Sequence, residues 1–247
     1  MRFTLALLAA LTTSTAYAGG LGEMTDAERS AFREEVKAYL MEHPEVIVEA
    51  MTELQAREEL ASADRDVQML AANQDAIFNS PGDWVGGNPD GDITVVEFMD
   101  YRCGYCRKAY QEVEDLVSAD GNIRFVLKEF PILGEESLYS AQFALAVRAL
   151  YGDDAYKAAH DALVTLRGPS TPETLGRLAT DLGHDPAAVT EKMSSPEVEA
   201  VIMSNHALAN ALEINGTPTF VINGTMLRGY VPLDGMRQIV AGEREEG

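Results

Sequence analysis

The chain has 247 residues, 46% of them hydrophobic and 24% charged, which is ordinary globular usage and excludes a disordered tail or a collagen-like chain. Its 40 acidic and 19 basic side chains give a formal net charge of −21, so repulsion disfavours binding to nucleic acid or to an anionic membrane surface. Two cysteines are too few for a small disulfide-stapled framework, and a chain of this length can bury a core without one.

The first 18 residues have the order of a secretory signal peptide. Arg2 gives a basic start, an apolar run follows over 3–11, and 16–18 is a small-x-small cleavage site. We therefore predict cleavage after Ala18 and export to a compartment where disulfides persist; a short buried helix is the alternative. No later stretch approaches the ~18 apolar residues of a bilayer-spanning helix, so no membrane span is expected after cleavage.

Residues 24–75 are predicted to form a helical arm. Thr25 and Glu28 make a capping box, and apolar residues recur every three or four positions up to Leu40. A second helix is expected from Glu45 to Asn73, a segment without Gly or Pro. The arm is too small and too charged to hold a core alone, so its apolar stripe is expected to pack on another copy or on the following domain. A helix that stays solvated is the alternative.

The remaining chain reads as a βαβ unit, a block of helices, a β-hairpin and a last helix. The mostly apolar strand 93–99 suits the centre of a sheet, and Asn223-Gly224 between two short strands is a strong hairpin signal. The predicted elements are strand 93–99, helix 106–117, strand 123–130, four or five helices within 137–213, strands 219–222 and 225–228, and helix 234–240. The N-cap candidates in the helical block are Ser137, Asp153, Thr171, Asp185 and Ser195.

The two cysteines, Cys103 and Cys106, lie three residues apart where a strand gives way to a helix. On a first helical turn their separation allows a disulfide. Cys103 would point toward free N–H groups and the positive end of the helix dipole, which favours a thiolate nucleophile, and Cys106 would resolve the mixed disulfide.

Two other roles for the pair remain open. A purely structural disulfide would close almost no loop and would add little stability. A zinc site needs about four ligands, and the four histidines are well separated in sequence from the cysteines.

Glu97 is a carboxylate inside an apolar strand, six residues before Cys103. Burial would raise its pKa and allow it to exchange a proton with Cys106, and Lys128 on the next strand could be its ion-pair partner. A carboxylate at the rim of a frayed strand is the alternative. Thr217-Pro218 follows a turn and precedes a strand, a placement that suits a cis X–Pro bond.

These residues together resemble the DsbA family of thioredoxin-fold thiol–disulfide oxidoreductases of the bacterial envelope. The resemblance covers roughly 77–247 and rests on Glu97, the 103–106 motif, the inserted helical block and the 216–220 motif. Residues 24–75 resemble the N-terminal extension of the ScsC-like subgroup, which is associated with oligomers. The implied organisation is a signal peptide over 1–18, a helical arm over 19–76, and a thioredoxin-like domain over 77–247 with a helical insertion at about 134–213.

The resemblance implies an α/β thioredoxin fold with an inserted helical block, preceded by a helical arm. It implies a periplasmic enzyme that forms or isomerises disulfides in unfolded or misfolded envelope proteins through Cys103 and Cys106. In the family the proline that matches Pro218 is cis and faces the cysteines, and the acid that matches Glu97 is buried behind them. The only cofactor would be the intrinsic disulfide, recharged by a membrane redox partner, and residues 24–75 would form a homo-oligomer.

The residues around the cysteines also bear on the direction of the reaction. Gly104 and Tyr105 stand between the cysteines and Thr217 precedes Pro218, a combination similar to the oligomeric disulfide isomerases rather than the strongest oxidants. A non-enzymatic alternative is a periplasmic copper-handling protein that binds Cu(I) through the same two thiolates.

Overall fold

A computed structural model of the protein describes residues 24–246. The predicted signal peptide over 1–18 lies outside the described residues. The helices are Asp26–Glu42 (α1), Glu45–Ala72 (α2), Gln74–Phe78 (α3), Gly104–Asp120 (α4), Glu135–Tyr151 (α5), Asp153–Thr165 (α6), Pro172–Asp181 (α7), Pro186–Met193 (α8), Pro196–Ala211 (α9) and Leu233–Glu246 (α10). The strands are Trp84–Gly87 (β1), Ile93–Met99 (β2), Ile123–Glu129 (β3), Thr219–Ile222 (β4) and Thr225–Arg228 (β5).

The described chain divides into two compact units, the first ending at Leu60 and the second beginning at Ala61, with the boundary inside α2. Over the described part of the chain, none of the helices combines the length and the apolar character needed to cross a bilayer.

The first unit contains α1 and the N-terminal part of α2. The predicted capping box is confirmed: the Thr25 hydroxyl accepts from the Glu28 backbone N–H, and the Glu28 carboxylate accepts from the Thr25 N–H at 2.8 Å. None of the residues of α1 is buried. Large apolar side chains on both helices are solvent-exposed, namely Phe32, Val36, Tyr39, Met41, Ile47, Val48, Met51, Leu54 and Leu60.

The second unit is built on a five-stranded mixed sheet with the order β1-β3-β2-β4-β5. β2 and β3 are parallel, as the predicted βαβ unit requires, while β1, β4 and β5 run antiparallel to their neighbours. The central strand β2 therefore lies between β3 and β4, with five helices inserted between those two strands in the chain. This is the predicted α/β thioredoxin architecture with a helical insertion.

The two faces of the sheet bury separate apolar clusters, because successive side chains of a strand point to opposite sides. One face holds Val95, Met99 and Leu127 and extends to both cysteines. The other face holds Val96, Phe98 and Val126 together with Leu70 and Ile77 from the segment before the sheet. The position of a residue along β2 or β3 thus decides whether it faces the cysteines.

Most of the helix starts in the insertion agree with the sequence. Thr171, Asp185 and Ser195 cap their helices with side-chain hydrogen bonds, each followed by proline in the first turn. Two predicted caps are wrong: α5 begins after Gly134 and α6 after Gly152, so Ser137 and Asp153 lie inside their helices. Both glycines have positive φ, 104° and 89°, which glycine adopts readily because it has no Cβ. The chain therefore turns into each helix at a glycine, without a side-chain cap.

The edge strand β1 was not predicted, because its Gly86-Gly87 pair is typical of a turn. The hairpin was predicted residue for residue: β4 and β5 pair from Thr219 with Arg228 to Ile222 with Thr225. The last helix extends beyond its predicted range at both ends.

Candidate active site

The cysteine pair lies in the second unit, at the start of α4 and just beyond the C-terminal end of β2. Residues 100–102 make a tight turn in which the Cys103 N–H donates to the Asp100 carbonyl at 3.0 Å. Cys103 is the N-cap residue of α4 and is 8% exposed, whereas Cys106 is 1% exposed. Both are free thiols in the structure. Because Cys106 is almost fully buried, only the Cys103 sulfur is presented to the surface.

The surroundings of Cys103 favour the thiolate. The Cys106 side chain, the Thr217 side chain and the backbone N–H groups of Cys106 and Tyr105 together lower the pKa of Cys103 to about 5, against the opposing effect of burial. The first-turn amides contribute because they have no partner within the helix. At neutral pH this sulfur is therefore a thiolate.

Cys106 has the opposite character. Burial, the Cys103 sulfur and the negative charge of Glu97 all raise the pKa of Cys106 above that of an ordinary thiol. The buried sulfur is held as a neutral thiol, and it can react only if a neighbouring group accepts its proton.

Glu97 lies on the face of β2 that points toward the cysteines and is 4% exposed. Burial raises the pKa of Glu97 to about 8, and the charges of Cys103, Glu129 and Glu114 act in the same direction. An acid with this pKa exchanges protons near neutral pH, which an exposed glutamate does not.

The turn before β4 completes the site. The Thr217-Pro218 peptide bond is cis, as the family resemblance implies. The Cys103 sulfur lies 3.1 Å from the Thr217 carbonyl oxygen, which accepts its proton's hydrogen bond when the thiol is protonated, so this turn lies directly against the sulfur. A polar cleft of about 510 Å³ opens beside the same turn, with Thr217, Arg228 and Asp66 among its lining residues.

The predicted ion pair between Lys128 and Glu97 is wrong. In the parallel register Glu97 lies opposite Leu127 and Phe98 lies opposite Lys128, so the lysine points to the other face of the sheet. There its Nζ pairs with the buried Asp83 carboxylate and donates to the Ala76 carbonyl at 2.8 Å. The structure therefore brings Cys103, Cys106, Glu97, Thr217 and Pro218 together and leaves Lys128 outside the site.

Sequence reasoning missed a second buried acid on the same face, Glu129 at the end of β3. Its Oε1 accepts from the Tyr101 hydroxyl at 2.8 Å and from the Tyr156 hydroxyl at 2.6 Å. Period-two alternation from Leu127 could have identified it, since Glu129 is the next residue on the face toward the cysteines.

The surface beside Cys103 carries an aromatic pair. Tyr105 is 62% exposed and stacks on Tyr230, with ring centroids 6.1 Å apart. The Lys108 ammonium lies 4.1 Å from the Tyr230 ring centroid, and the Tyr230 hydroxyl donates to Glu112 at 2.7 Å. The rim of the site is thus fixed in place and presents one exposed ring.

Across residues 24–246 the structure has no cluster of three or more His, Cys, Asp or Glu side chains arranged to hold a metal ion. Within that range, the thiols that lie close enough together to share a soft metal ion are those of Cys103 and Cys106.

Comparison with known proteins identifies the family. Residues 94–241 match the DSBA-like thioredoxin domain, a span that includes all but the first residue of β2, both cysteines and the cis-proline turn. The chain belongs to the DsbA-like thioredoxin family. Residues 28–61 match the N-terminal domain of the copper resistance protein ScsC, so a ScsC-like extension precedes this DsbA-like domain.

Solved structures agree with this assignment. A thioredoxin-like oxidoreductase from Silicibacter pomeroyi DSS-3 is 43% identical, with a TM-score of 0.66, and covers 70% of this chain and 98% of its own. BcfH of Salmonella enterica Typhimurium is 29% identical, with a TM-score of 0.74, and covers 87% of this chain and 95% of its own.

Curated relatives include proteins of two kinds. The thiol:disulfide interchange protein DsbA of Bordetella pertussis is 29% identical over 169 residues, which are 66% of this chain and 78% of that protein. The chain also matches Na⁺/H⁺ antiporters, among them one from Salinispora tropica that is 27% identical over 186 residues, which are 73% of this chain. The matched region spans only 28% of the length of that antiporter.

Proposed function

We propose that this protein is a periplasmic thiol–disulfide oxidoreductase that forms or isomerises disulfides in unfolded or misfolded envelope proteins through Cys103 and Cys106. The observation that carries the proposal is the asymmetry of the pair. A stabilised thiolate is presented beside the Thr217 turn, and a neutral thiol is buried next to Glu97. Membership of an oxidoreductase family supports the reaction class.

In the oxidising direction, a client thiolate attacks the Cys103 sulfur of the Cys103–Cys106 disulfide. The S–S bond breaks, Cys106 leaves and takes up a proton, and a mixed disulfide joins client and enzyme. A second client thiolate then attacks the client sulfur and releases Cys103 as a thiolate. The client loses two electrons to the enzyme pair, and the stabilised Cys103 thiolate makes the last step favourable.

In the isomerising direction, the Cys103 thiolate attacks a wrong client disulfide and forms the same kind of mixed disulfide. Attack by another client thiolate frees Cys103 with a new pairing and no net change in electrons. If the client is not released in this way, Cys106 resolves the intermediate after giving its proton to Glu97. The buried position of Glu97 on the face toward the cysteines supports this proton transfer.

The proposal also includes the location of the protein and the way its disulfide is restored. The predicted signal peptide over 1–18 supports export to the periplasm. Each client oxidation leaves the enzyme as a dithiol, so continued turnover needs an acceptor of two electrons, which we propose to be a membrane redox partner. No cofactor other than the intrinsic disulfide takes part.

The N-terminal extension supports a homo-oligomer through residues 24–75. Ten large apolar side chains on α1 and α2 are exposed in the single chain, and α1 buries none of its residues. Such a surface favours association with further copies of the same helices. The match to the ScsC N-terminal domain over 28–61 supports the same assignment.

The decisive experiment compares Cys103→Ser with Cys106→Ser in the full chain. We expect Cys106→Ser to accumulate mixed disulfides with a reduced and scrambled client protein, because the resolving thiol is missing. Cys103→Ser should trap nothing and lose turnover. Equal trapping by both variants, or by neither, would contradict the proposed division of roles.

Copper handling is a second candidate, favoured by the match to a copper resistance protein domain. Two adjacent thiolates suit Cu(I), a soft ion that accepts few ligands. This function predicts that Cys103→Ser and Cys106→Ser weaken Cu(I) binding equally. The oxidoreductase proposal predicts the unequal trapping described above.

A further inference from the structure

Glu129 is a buried acid that the proposed reaction does not use. It is 1% exposed, lies at the end of β3 and faces the same side of the sheet as Glu97 and the cysteines. Its Oε1 accepts two tyrosine hydroxyl bonds, while its Oε2 is buried without a partner among the described residues. A buried carboxyl with one unused oxygen is uncommon in a protein core.

The two tyrosines hold this carboxyl from different elements. Tyr101 lies in the turn that leads from β2 to Cys103, and Tyr156 lies on α6. The Tyr101 hydroxyl also meets His160 Nδ1 at 3.1 Å, and Tyr156 stacks on Trp84 with ring centroids 5.6 Å apart. The network therefore connects the turn before the nucleophile to the helical insertion and to β1.

The register places Glu129 close to Glu97. Glu97 lies opposite Leu127, and Glu129 follows two residues later on the neighbouring parallel strand. This offset puts the two Cα atoms roughly 8 Å apart on the same face. The two carboxyl groups are thus like charges in one buried region, and ionisation of either one opposes ionisation of the other.

The other titratable and charged groups around the pair come from four elements. Groups that act on Glu97 are the two cysteines and Glu114 on α4. Groups around Glu129 and its tyrosines are Asp100 in the turn, His160 on α6 and Arg148 on α5. Burial raises the pKa of Glu129 to about 8, and the hydrogen bonds from Tyr156 and Tyr101 act in the opposite direction.

We propose that Glu129, held by Tyr101 and Tyr156, is a positioning residue that sets the proton affinity of Glu97 and thereby the pH range in which Cys106 can be deprotonated. The inference rests on the proposed function, because it names a further determinant of the same reaction. When this coupled pair loses its first proton, the two tyrosine hydroxyls favour the charge on Glu129, and that charge keeps the remaining proton on Glu97 to higher pH. Glu97 then gives and takes the Cys106 proton near neutrality instead of remaining ionised.

The kinetic test follows the Cys106-dependent step as a function of pH. Reduced full-length protein is mixed with glutathione disulfide, and the conversion of the Cys103–glutathione mixed disulfide to the Cys103–Cys106 disulfide is measured by acid quenching and mass spectrometry. Glu129→Gln should move the midpoint of this pH profile down by at least about 0.5 pH unit, because a neighbouring negative charge is lost. Tyr156→Phe, which leaves less charge on Glu129, should move it in the same direction by a smaller amount.

Glu173→Gln is the matched control. It makes the same change from an acid to an amide at an exposed position on α7, where Glu173 pairs with Arg177 away from the cysteines. This variant should leave the midpoint unchanged. An unmoved midpoint in both Glu129→Gln and Tyr156→Phe, or an equal shift in Glu173→Gln, would overturn the proposal.

A second measurement does not depend on catalysis. In Cys103→Ser, infrared bands of protonated buried carboxyls should disappear in two steps with rising pH, as expected for a coupled pair. In Cys103→Ser/Glu129→Gln a single step at lower pH than the upper step should remain. If the Glu97 band disappeared at the same pH with and without Glu129→Gln, the coupling would be overturned even if exchange is normal. Absent exchange with intact coupling would count against the proposed function alone.

Discussion

Cys103 owes its reactivity to groups from two distant parts of the chain. The local contribution comes from Cys106 and the first amides of α4, and the distant one from Thr217. The low pKa does not require a histidine between the cysteines, where this chain has Gly104 and Tyr105.

Thr217→Val should raise the pKa of Cys103 by roughly one unit, because the side-chain hydrogen bond to the thiolate is lost. The same change should lower the reduction potential of the pair by about 30 mV, since a less stable thiolate makes the disulfide harder to reduce. Thiolate absorbance against pH and equilibration with glutathione measure the two effects. Thr217→Ser, which keeps the hydroxyl, should match the wild type; equal shifts in Val and Ser would exclude the hydroxyl as the cause.

Glu97→Gln should slow the Cys106-dependent step at least about tenfold at pH 8 while attack by Cys103 stays close to the wild-type rate. The amide side chain of this variant cannot accept the Cys106 proton, but the Cys103 thiolate remains. Rapid-quench kinetics of the two steps measure the difference. Equal slowing of both steps would point to a general disturbance of the site instead of a lost proton acceptor.

Glu97 also makes stability depend on pH. Its pKa is near 4.5 in the unfolded chain and about 8 in the folded protein, so between these values the folded state holds a proton that the unfolded state has lost. Stability from this group is complete below pH 4.5 and falls as the pH rises to 8. Glu97→Gln should therefore be more stable than the wild type at pH 8 and similar to it near pH 4.5, by urea unfolding of the reduced forms. A constant difference across this range would contradict the raised pKa.

At the scale of single elements, successive side chains of β3 point to opposite faces of the sheet. This alternation alone separates a residue with a structural role from one that lies near the cysteines. Lys128 and Glu129 are neighbours in sequence, yet the first pairs with Asp83 on one face and the second meets Tyr101 and Tyr156 on the other. A lysine and a glutamate side by side in this strand thus belong to different parts of the molecule.

Asp83→Asn should destabilise the protein by about 3–5 kcal/mol, because it leaves the Lys128 ammonium buried without a counter-charge. Denaturant unfolding measures the loss, and the exchange rates of the folded fraction should not change. Glu173→Gln, which breaks an exposed pair with Arg177, should have little effect on stability. A large change in the Cys103 pKa in Asp83→Asn would contradict the separation of the two faces.

The sequence predicted the helices and strands around the site better than it predicted which side chains contact each other there. The run 93–99 and the hairpin are local patterns, and the structure contains both. Lys128 was assigned to Glu97 because strand proximity is visible in sequence while the register is not. The Glu129 network was missed because its partners Tyr101 and Tyr156 are brought to it only by packing of the turn and α6.

On the scale of the whole molecule, the boundary at Leu60 and Ala61 divides the long helix α2. Residues beyond it belong to the unit with the sheet: Leu70 is buried there, and Asp66 forms two hydrogen bonds with Arg228, at 2.6 and 2.8 Å. A truncation that separates the arm should therefore begin at Ala61, since removal of residues up to 75 would also remove these contacts.

We expect the full-length protein to be a homo-oligomer, and Met51→Glu/Leu54→Glu to convert it to a monomer, because charge on the exposed apolar surface opposes association. The monomer should keep dithiol oxidation but lose most isomerisation of a scrambled client, since neighbouring sites no longer retain it. Light scattering and a refolding assay measure the two effects.

Glu58→Gln is the matched exposed control on the same helix and should remain oligomeric. The chain beginning at Ala61 should behave like the charged double variant. A monomeric wild type would remove the premise, and full isomerase activity in either monomer would contradict the retention mechanism.

Thr217, whose side chain lowers the pKa of Cys103, lies 114 positions after it in the chain, and β2 pairs on one side with β4, which is formed from the same late segment. Long-range contacts of this kind form only after most of the chain is available. A chain that has emerged only as far as α5 therefore contains both cysteines without the Thr217 contribution that lowers the pKa of Cys103. Activation of the nucleophile is in this way tied to completion of the fold, so an unfinished molecule is a weaker nucleophile toward its neighbours than a finished one.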